Sequence, residues 1–312
     1  MKSPSISAAV RVYNGEQYVA QTIAAILAQT RPPEEVVVVD DGSTDGTADE
    51  LERFRGEIRV VRQANSGYVG SFNRSVSEIR GDYIANCDAD DIWEPGKLER
   101  QHDALLSHPQ IDFAFTGARF FGLIGGPRAP YPGAGLLERA DFARRLYRQN
   151  YVCTSSTLIR REFCARVGQF TDKVALCEDY DYWLRIVMAG AVCFYDPAVL
   201  VAYRTHSKQV SSNLLRMHKA EYLVHDLCSE AVEDTRLVRK VTARDLSNVA
   251  RVLSDEGRAD EARRVFVSSL RRWPTLRVLV WAMVLSVPGR YRRPLADGLV
   301  SLKRGLISPV SR

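Results

Sequence analysis

The segment Glu-Val-Val-Val-Val-Asp at residues 35–40 constrains the fold more than any other stretch of the chain. Four consecutive valines leave no polar side, so as a strand the segment must be covered on both faces, as strands inside an α/β sheet are. Before it stand a strand candidate, Ile6 to Tyr13, and an amphipathic helical pattern, Glu16 to Gln29. Strand, helix and buried strand make a β-α-β unit, and a crossover of that kind joins parallel strands. The alternation continues with helix near Thr47 to Phe54, strand Ile58 to Arg62, helix Tyr68 to Ile79, strand Tyr83 to Cys87 and helix Lys97 to Leu106. The expectation is an α/β fold, a doubly wound, mostly parallel, Rossmann-like sheet.

Beyond a strand at Asp112 to Thr116, the Gly/Pro-rich stretch Gly122 to Gly135 reads as a long surface loop. A helix (Leu137 to Tyr147), a strand (Ser156 to Ile159), a helix containing Tyr182 to Met188 and a strand pair (Val192 to Tyr195 and Val199 to Tyr203) are expected next. A first domain is therefore expected to span residues 1–212 and a helical C-terminal extension residues 213–312. Within the extension, the spacing from Arg244 to Pro274 resembles one tetratricopeptide-type helix hairpin, which needs a neighbour to cover its apolar face. The last segment mixes Trp273, Leu276, Leu279, Trp281 and Leu285 with Arg271, Arg272, Arg277, Arg290, Arg292 and Arg293, a basic amphipathic tail. That composition suits either peripheral contact with a membrane surface or docking on the chain's own domain.

Charge supports this division. The net charge is +5, and residues 213–312 hold nineteen Lys and Arg against eleven Asp and Glu, whereas the residues before them hold 24 against 27. A nucleic-acid protein would carry its basic patch on the folded domain, and no helix-turn-helix, zinc-finger or RNP-like signature is present, so no nucleic-acid partner is expected. The six cysteines form no Cys-x-x-Cys pair and no apolar leader opens the sequence, so reduced thiols and a cytoplasmic location are expected. The longest apolar run, Val278 to Val287, is about half of what a bilayer-spanning helix needs.

Three acidic constellations carry the chemistry. Asp40-Asp41-Gly42-Ser43 follows the valine strand, at the strand end where open α/β sheets place ligands. Residues 41–52 fit an EF-hand loop on paper, but a strand former enters it where that motif needs a helix, so the calcium reading is rejected. Asp45 or Thr44 is expected to cap the helix that follows, which leaves Asp41 unexplained. Cys87-Asp88-Ala89-Asp90-Asp91 ends the fourth strand, and an Asp-x-Asp pair there makes a hard-oxygen mouth suited to Mg²⁺ or Mn²⁺ carrying substrate phosphates. The plain alternative is helix capping by Asp91. Glu178-Asp179-Tyr180-Asp181 opens an apolar helix, whose N-terminus stabilises carboxylates whether or not they have a further use.

Taken in order, Val12-Tyr13-Asn14, VVVVDDGSTDGT, Asn65-Ser66-Gly67, GDYIANCDADDIWEPGKL, CEDYDYWLR and YRTHSKQVS resemble the family 2 inverting glycosyltransferases of GT-A fold, over about residues 5–210. The resemblance implies a nucleoside-diphosphate-sugar donor, UDP-, dTDP- or GDP-linked, and a glycan or lipid-linked hydroxyl acceptor in bacterial envelope polysaccharide or glycolipid synthesis. It implies that Tyr13 stacks on the base, that Asp41 accepts from the base imide and that Asn14 and Asn65 line the donor site. Asp88 would hold ribose or sugar, Asp90 the metal (Mn²⁺ or Mg²⁺), with His206 joining metal or diphosphate, and Asp179 would be the general base. Arg11 departs from the pattern, standing where the family usually has proline. The Gln/Arg-x-x-Arg-Trp motif of processive synthases is absent, which points to transfer of one or a few sugars. A sugar nucleotidyltransferase would need a Gly-rich basic loop, and Ser7 to Asn14 has none. A non-catalytic nucleotide-sugar-binding scaffold is opposed by the joint presence of Asp41, Asp90 and Asp179.

Overall fold

The computed structural model describes residues 3–128, 130–174, 176–207 and 213–286. Contacts within the chain divide it into two units, Met1–Ser212 and Asn213–Arg312.

In the first unit, β1 (Ile6–Val12), β2 (Glu35–Asp40), β3 (Arg59–Arg62) and β4 (Tyr83–Asp88) alternate with α1 (Val19–Leu27), α2 (Thr47–Glu52) and α3 (Gly67–Glu78). Next come β5 (Ile92–Trp93), α4 (Lys97–Ser107), β6 (Phe113–Gly122), β7 (Gly126–Pro127), β8 (Gly135–Leu136), α5 (Arg139–Arg148), β9 (Leu158–Arg160), α6 (Arg161–Val167), α7 (Glu178–Met188) and β10 (Cys193–Thr205). The sheet runs β3-β2-β1-β4-β9-β6-β10-β5, with β7 on β6 and β8 on β10. The β3-β2-β1-β4 half is parallel throughout, and β6 and β10 are parallel to each other. By contrast, β9 pairs antiparallel with both its neighbours, and β5 antiparallel with β10. A short apolar run does not announce its direction, so the mostly parallel expectation did not say which strands would be inverted. The expected final strand pair is one strand, β10, whose pairing with β6 shifts register between Asp196 and Val201; the bulge interrupts the pattern without breaking the strand.

Two chemically distinct layers cover the sheet. Val10, Val12, Val36, Val38 and Cys87 pack with Val19, Ile23 and Ile26 of α1, Leu51 of α2, and Leu98 and Leu105 of α4 in an aliphatic core. The opposite layer, under α3, α5 and α7, is aromatic. Phe72, Phe170 and Tyr182 form one stack, with ring centroids 3.5 and 3.9 Å apart, and Trp183, Phe113, Phe115 and Phe142 another. Offset aromatic pairs of this kind add to area burial and fix orientation, so the start of α7 is held by rings directly behind it. All six cysteines are buried.

The second unit comprises α8 (Leu214–Leu227), α9 (Thr235–Asp255), α10 (Ala259–Arg272) and α11 (Leu276–Ser286). Val249, Ala250 and Leu253 of α9, Ala262 and Phe266 of α10, and Val278 and Ala282 of α11 share one core, with Trp281 lying parallel to Phe266. Buried His225 and Asp245 join α8 to α9, Nδ1 to Oδ2 at 2.7 Å. No helix of the described residues is long and apolar enough to cross a membrane. The tail arginines 290, 292 and 293 lie outside the described residues.

Candidate active site

Parallel register sets the site. Val12 lies opposite Asp40 and Arg11 opposite Asp88, so the chain leaves β1, β2 and β4 at one sheet edge. Asp40 is structural: fully buried, it accepts from the Ser43 N–H at 3.0 Å and from Arg62 Nε at 2.9 Å. Asp41 donates its N–H to Val12 O, and its Oδ1 accepts from Ser66 N and Ser66 Oγ, both at 2.9 Å, and from Gln63 Nε2 at 2.7 Å. The second strand end is thus fastened to the start of α3. Gly42, at φ +79°, is required in this turn, since a Cβ there would lie 2.9 Å from Asn65 N. Asn14 takes the left-handed conformation at φ 52°, donates its N–H to Ser43 Oγ at 3.0 Å and accepts at Oδ1 from Thr44 N at 2.8 Å, tying the first loop to the second. Tyr13, beside it, is 53% exposed and presents its ring to solvent. Asn65 Oδ1 accepts from Gly67 N at 3.2 Å. Asp45 accepts from Thr47 N at 3.0 Å, but the N-cap position of α2 is Gly46, which carries no side chain, so neither Asp45 nor Thr44 is the expected cap.

The motif after β4 is wired in three directions. Asp88 Oδ1 accepts from buried Arg11 at 2.8 Å. Asp90 Oδ2 lies 3.0 Å from His206 Nε2, just past the end of β10. Asp91 is buried, accepts at Oδ1 from Arg204 N at 2.9 Å and at Oδ2 from Ser155 Oγ at 2.5 Å, and does not cap a helix. Arg204 donates to the Asp90 carbonyl at 2.7 Å and lies over the rings of Tyr18 and Phe121. Burial, then the neighbouring Asp88 charge, pushes the Asp90 carboxyl above the usual carboxylate range, with His206 opposing; burial and the charges of Asp90 and Asp88 raise Asp91 further.

The third motif reaches the same place through a single turn that sequence patterns did not single out. Thr154 Oγ1 donates to Asp179 Oδ2 at 3.0 Å, while its neighbour Ser155 accepts from the Asp88 N–H at 2.9 Å, donates to Asp91 and accepts at its carbonyl from Trp93 Nε1 at 2.7 Å. Two adjacent residues thus link the Asp179 carboxylate to the Asp88 backbone and the Asp91 carboxylate. Asp179 Oδ1 also accepts from Tyr180 N at 2.6 Å, yet burial outweighs these bonds and raises its carboxyl, with Asp88 adding repulsion. Glu178 is pushed up to about 7, first by burial and then by Asp179 and Asp88, and its Oε2 is buried with no hydrogen-bond partner among the described residues. The Tyr68 hydroxyl of α3, raised chiefly by burial, is also raised by the charges of Asp88, Asp179 and Glu178.

Of the residues read from sequence, Asp88 and Asp179 are linked through Ser155 and Thr154, Asp90 pairs with His206, and Tyr13, Asn14, Asp41 and Asn65 lie on the loops after β1 and β2 and before α3. Thr154, Ser155, Tyr68 and Glu178 were not read as site residues. Only Glu178, as the other half of an acidic pair at a helix start, carried a signal that could have found it.

A profile of "Glycosyl transferase family 2" matches residues 7–168, more than half of the chain. The chain belongs to that family. Among curated relatives, a protein named "Putative teichuronic acid biosynthesis glycosyltransferase TuaG" from Bacillus subtilis is 27% identical over 226 residues, covering 71% of this chain and 87% of the relative. Among solved structures, S. aureus TarS in complex with UDP-GlcNAc superposes with a TM-score of 0.67 at 16% identity, over 93% of this chain and 88% of that one. The mannosyltransferase PcManGT from Pyrobaculum calidifontis, solved with GDP-Man and Mn²⁺, superposes with a TM-score of 0.58 at 16% identity, over 95% and 87%. At those identities the likeness is one of fold, and the fold is GT-A. The chain is a glycosyltransferase of family 2.

Proposed function

We propose that this glycosyltransferase moves a sugar from a nucleoside-diphosphate donor to a hydroxyl group of a glycan or lipid-linked acceptor, with inversion and with Mn²⁺ or Mg²⁺ bound. The observation that carries the reading is the Thr154-Ser155 bridge, which links the Asp179 carboxylate to the Asp88 N–H and the Asp91 carboxylate. The solved neighbours hold UDP-GlcNAc and GDP-Man, which supports a sugar-nucleotide donor.

Among the described residues no three His, Cys, Asp or Glu side chains gather as a metal cage. The donor set Asp90 and His206, 3.0 Å apart, instead fits a cation that takes its remaining ligands from diphosphate oxygens and water. When bound, such a cation offsets charge developing on the departing nucleoside diphosphate. In this reading Tyr13 lies on the base and Asp41 meets its polar edge, which the exposure of Tyr13 and the Asn14-Thr44 and Asp41-Ser66 contacts support. Asp179 takes the proton of the attacking hydroxyl. A carboxyl raised by burial is, once ionised, the stronger base. Attack from the face opposite the leaving group inverts the anomeric centre in one displacement.

The TuaG likeness and the exposed Leu276, Leu279 and Met283 on α11, followed in sequence by arginines, favour an envelope-polysaccharide or glycolipid role with peripheral contact at the inner membrane surface. The test is release of nucleoside diphosphate from a panel of UDP-, dTDP- and GDP-sugars in Mn²⁺, with slow hydrolysis expected without acceptor and loss of release in excess chelator. Absence of both binding and release across the panel would overturn the reading.

A further inference from the structure

Arg11 sits in the interior of β1 with its side chain 3% exposed. The guanidinium donates through one nitrogen to Asn86 Oδ1 at 3.0 Å and through another to Asp88 Oδ1 at 2.8 Å, and lies 4.6 Å above the Phe72 ring and 5.4 Å from that of Tyr68. Its third nitrogen, Nε, is buried without a hydrogen-bond partner among the described residues. Asn86 is itself fixed by donating to Thr157 Oγ1 at 3.0 Å. The fork is therefore held on every side. A buried ion pair with an unsatisfied donor is weak support for stability, because desolvation offsets most of the attraction. The consequence of this pair is better sought at its other end, where Asp88 remains 24% exposed at the cleft.

We propose that Arg11 is a positioning residue for the transferred sugar: by engaging Oδ1 of Asp88 it aims Oδ2 at a hydroxyl of the donor's sugar ring. The proposal rests on the sugar-nucleotide reading above. Position argues for the sugar over the nucleotide. Asp88 is two residues from Asp90, assigned to the diphosphate, and is joined through Ser155 and Thr154 to Asp179, assigned to the acceptor side, and its charge is felt by both carboxyls. Asp41 and Tyr13, assigned to the base, belong to the neighbouring strand ends. An acceptor with one oxygen fixed offers a single direction to a hydroxyl, whereas a freely rotating carboxylate does not, and planar two-point engagement of this kind is an arginine property that lysine lacks.

The experiment compares affinities with and without the sugar. Arg11→Met keeps length and the packing over Phe72 while removing fork and charge, and Arg11→Lys keeps the charge alone. Calorimetric titration in Mn²⁺ with UDP, GDP, UDP-GlcNAc and GDP-mannose, using whichever pair the unmutated protein binds, should show the free diphosphate within about twofold of unmutated affinity. The sugar nucleotide should weaken about tenfold in Arg11→Met, as loss of one charge-assisted hydrogen bond gives, with donor KM rising accordingly and kcat changing less. Arg11→Lys should fall between, and if Arg11→Met does not fold, a weakening of the sugar nucleotide confined to Arg11→Lys carries the same conclusion. Equal weakening of diphosphate and sugar nucleotide, or no weakening of either, overturns the proposal. If the unmutated protein binds neither diphosphate nor sugar nucleotide, the reading of the site falls first and this inference with it.

Discussion

Glu178→Gln should make the protein more stable, and the gain should depend on pH. The Glu178 carboxyl is raised to about 7 from an ordinary 4.5, first by burial and then by Asp179 and Asp88. Below about 4.5 the group is protonated in both folded and unfolded chains. Between the two values the folded chain holds a proton that the unfolded chain releases, so stability falls as pH rises and the full penalty is present above 7. At 1.36 kcal/mol per pH unit, the gap sets a ceiling of about 3 kcal/mol at pH 8, and under about 1 kcal/mol at pH 5. Residual solvent at the cleft lowers both, so a gain of about 2 kcal/mol at pH 8 is expected for the neutral isostere. For a domain of this size that corresponds to a rise in melting temperature of about 4–8 °C. Thermal denaturation of both proteins at pH 5, 6, 7 and 8 reads it directly. A variant less stable than the unmutated protein at pH 8, or equally shifted at every pH, would refute the argument that burial beside two carboxylates governs this group.

Two further substitutions test the packing. Phe72→Ala removes a fully buried ring that stacks on Phe170 and underlies Arg11; it should cost about 3–5 kcal/mol in denaturant unfolding, and a cost below about 1 kcal/mol would mean the aromatic layer does not hold α3. Asp245→Ala removes the acceptor of buried His225 between α8 and α9. A loss of about 3–5 kcal/mol in the helical transition of the second unit is expected, and an unchanged circular-dichroism melt would contradict it.

Much of the parallel half of the sheet was legible because the valine run and its neighbours state their burial in the pattern itself, and acidic pairs just past such strands stand where α/β sheets keep ligands. Other features were not legible. The direction of β9 and the continuity of β10 through its bulge depend on pairing partners, which an isolated apolar run does not specify. Ser155 reaches Asp91 across 64 positions and Arg11 reaches Asp88 across 77, so neither has a local signature. A Thr-Ser-Ser turn reads as ordinary polar loop until the fold brings it beneath two carboxylates. Arg11 was noticed as a departure from the family pattern, but its meaning depends on Asn86, Asp88 and Phe72 being its neighbours. Asn14 illustrates the same limit, since its side chain ties one loop to the next through Thr44.

In the proposed reaction Asp90 would hold a cation with the donor diphosphate while Asp179 accepts the proton of the attacking hydroxyl. Measuring donor affinity and turnover together on the unmutated protein, Asp90→Asn and Asp179→Asn tests it most directly. Asp90→Asn should lose the Mn²⁺-dependent part of donor binding, and Asp179→Asn should bind donor within about twofold of unmutated affinity while transfer falls by at least about a hundredfold. Transfer by Asp179→Asn at the unmutated rate, or donor binding by Asp90→Asn that still responds fully to Mn²⁺, would contradict the account.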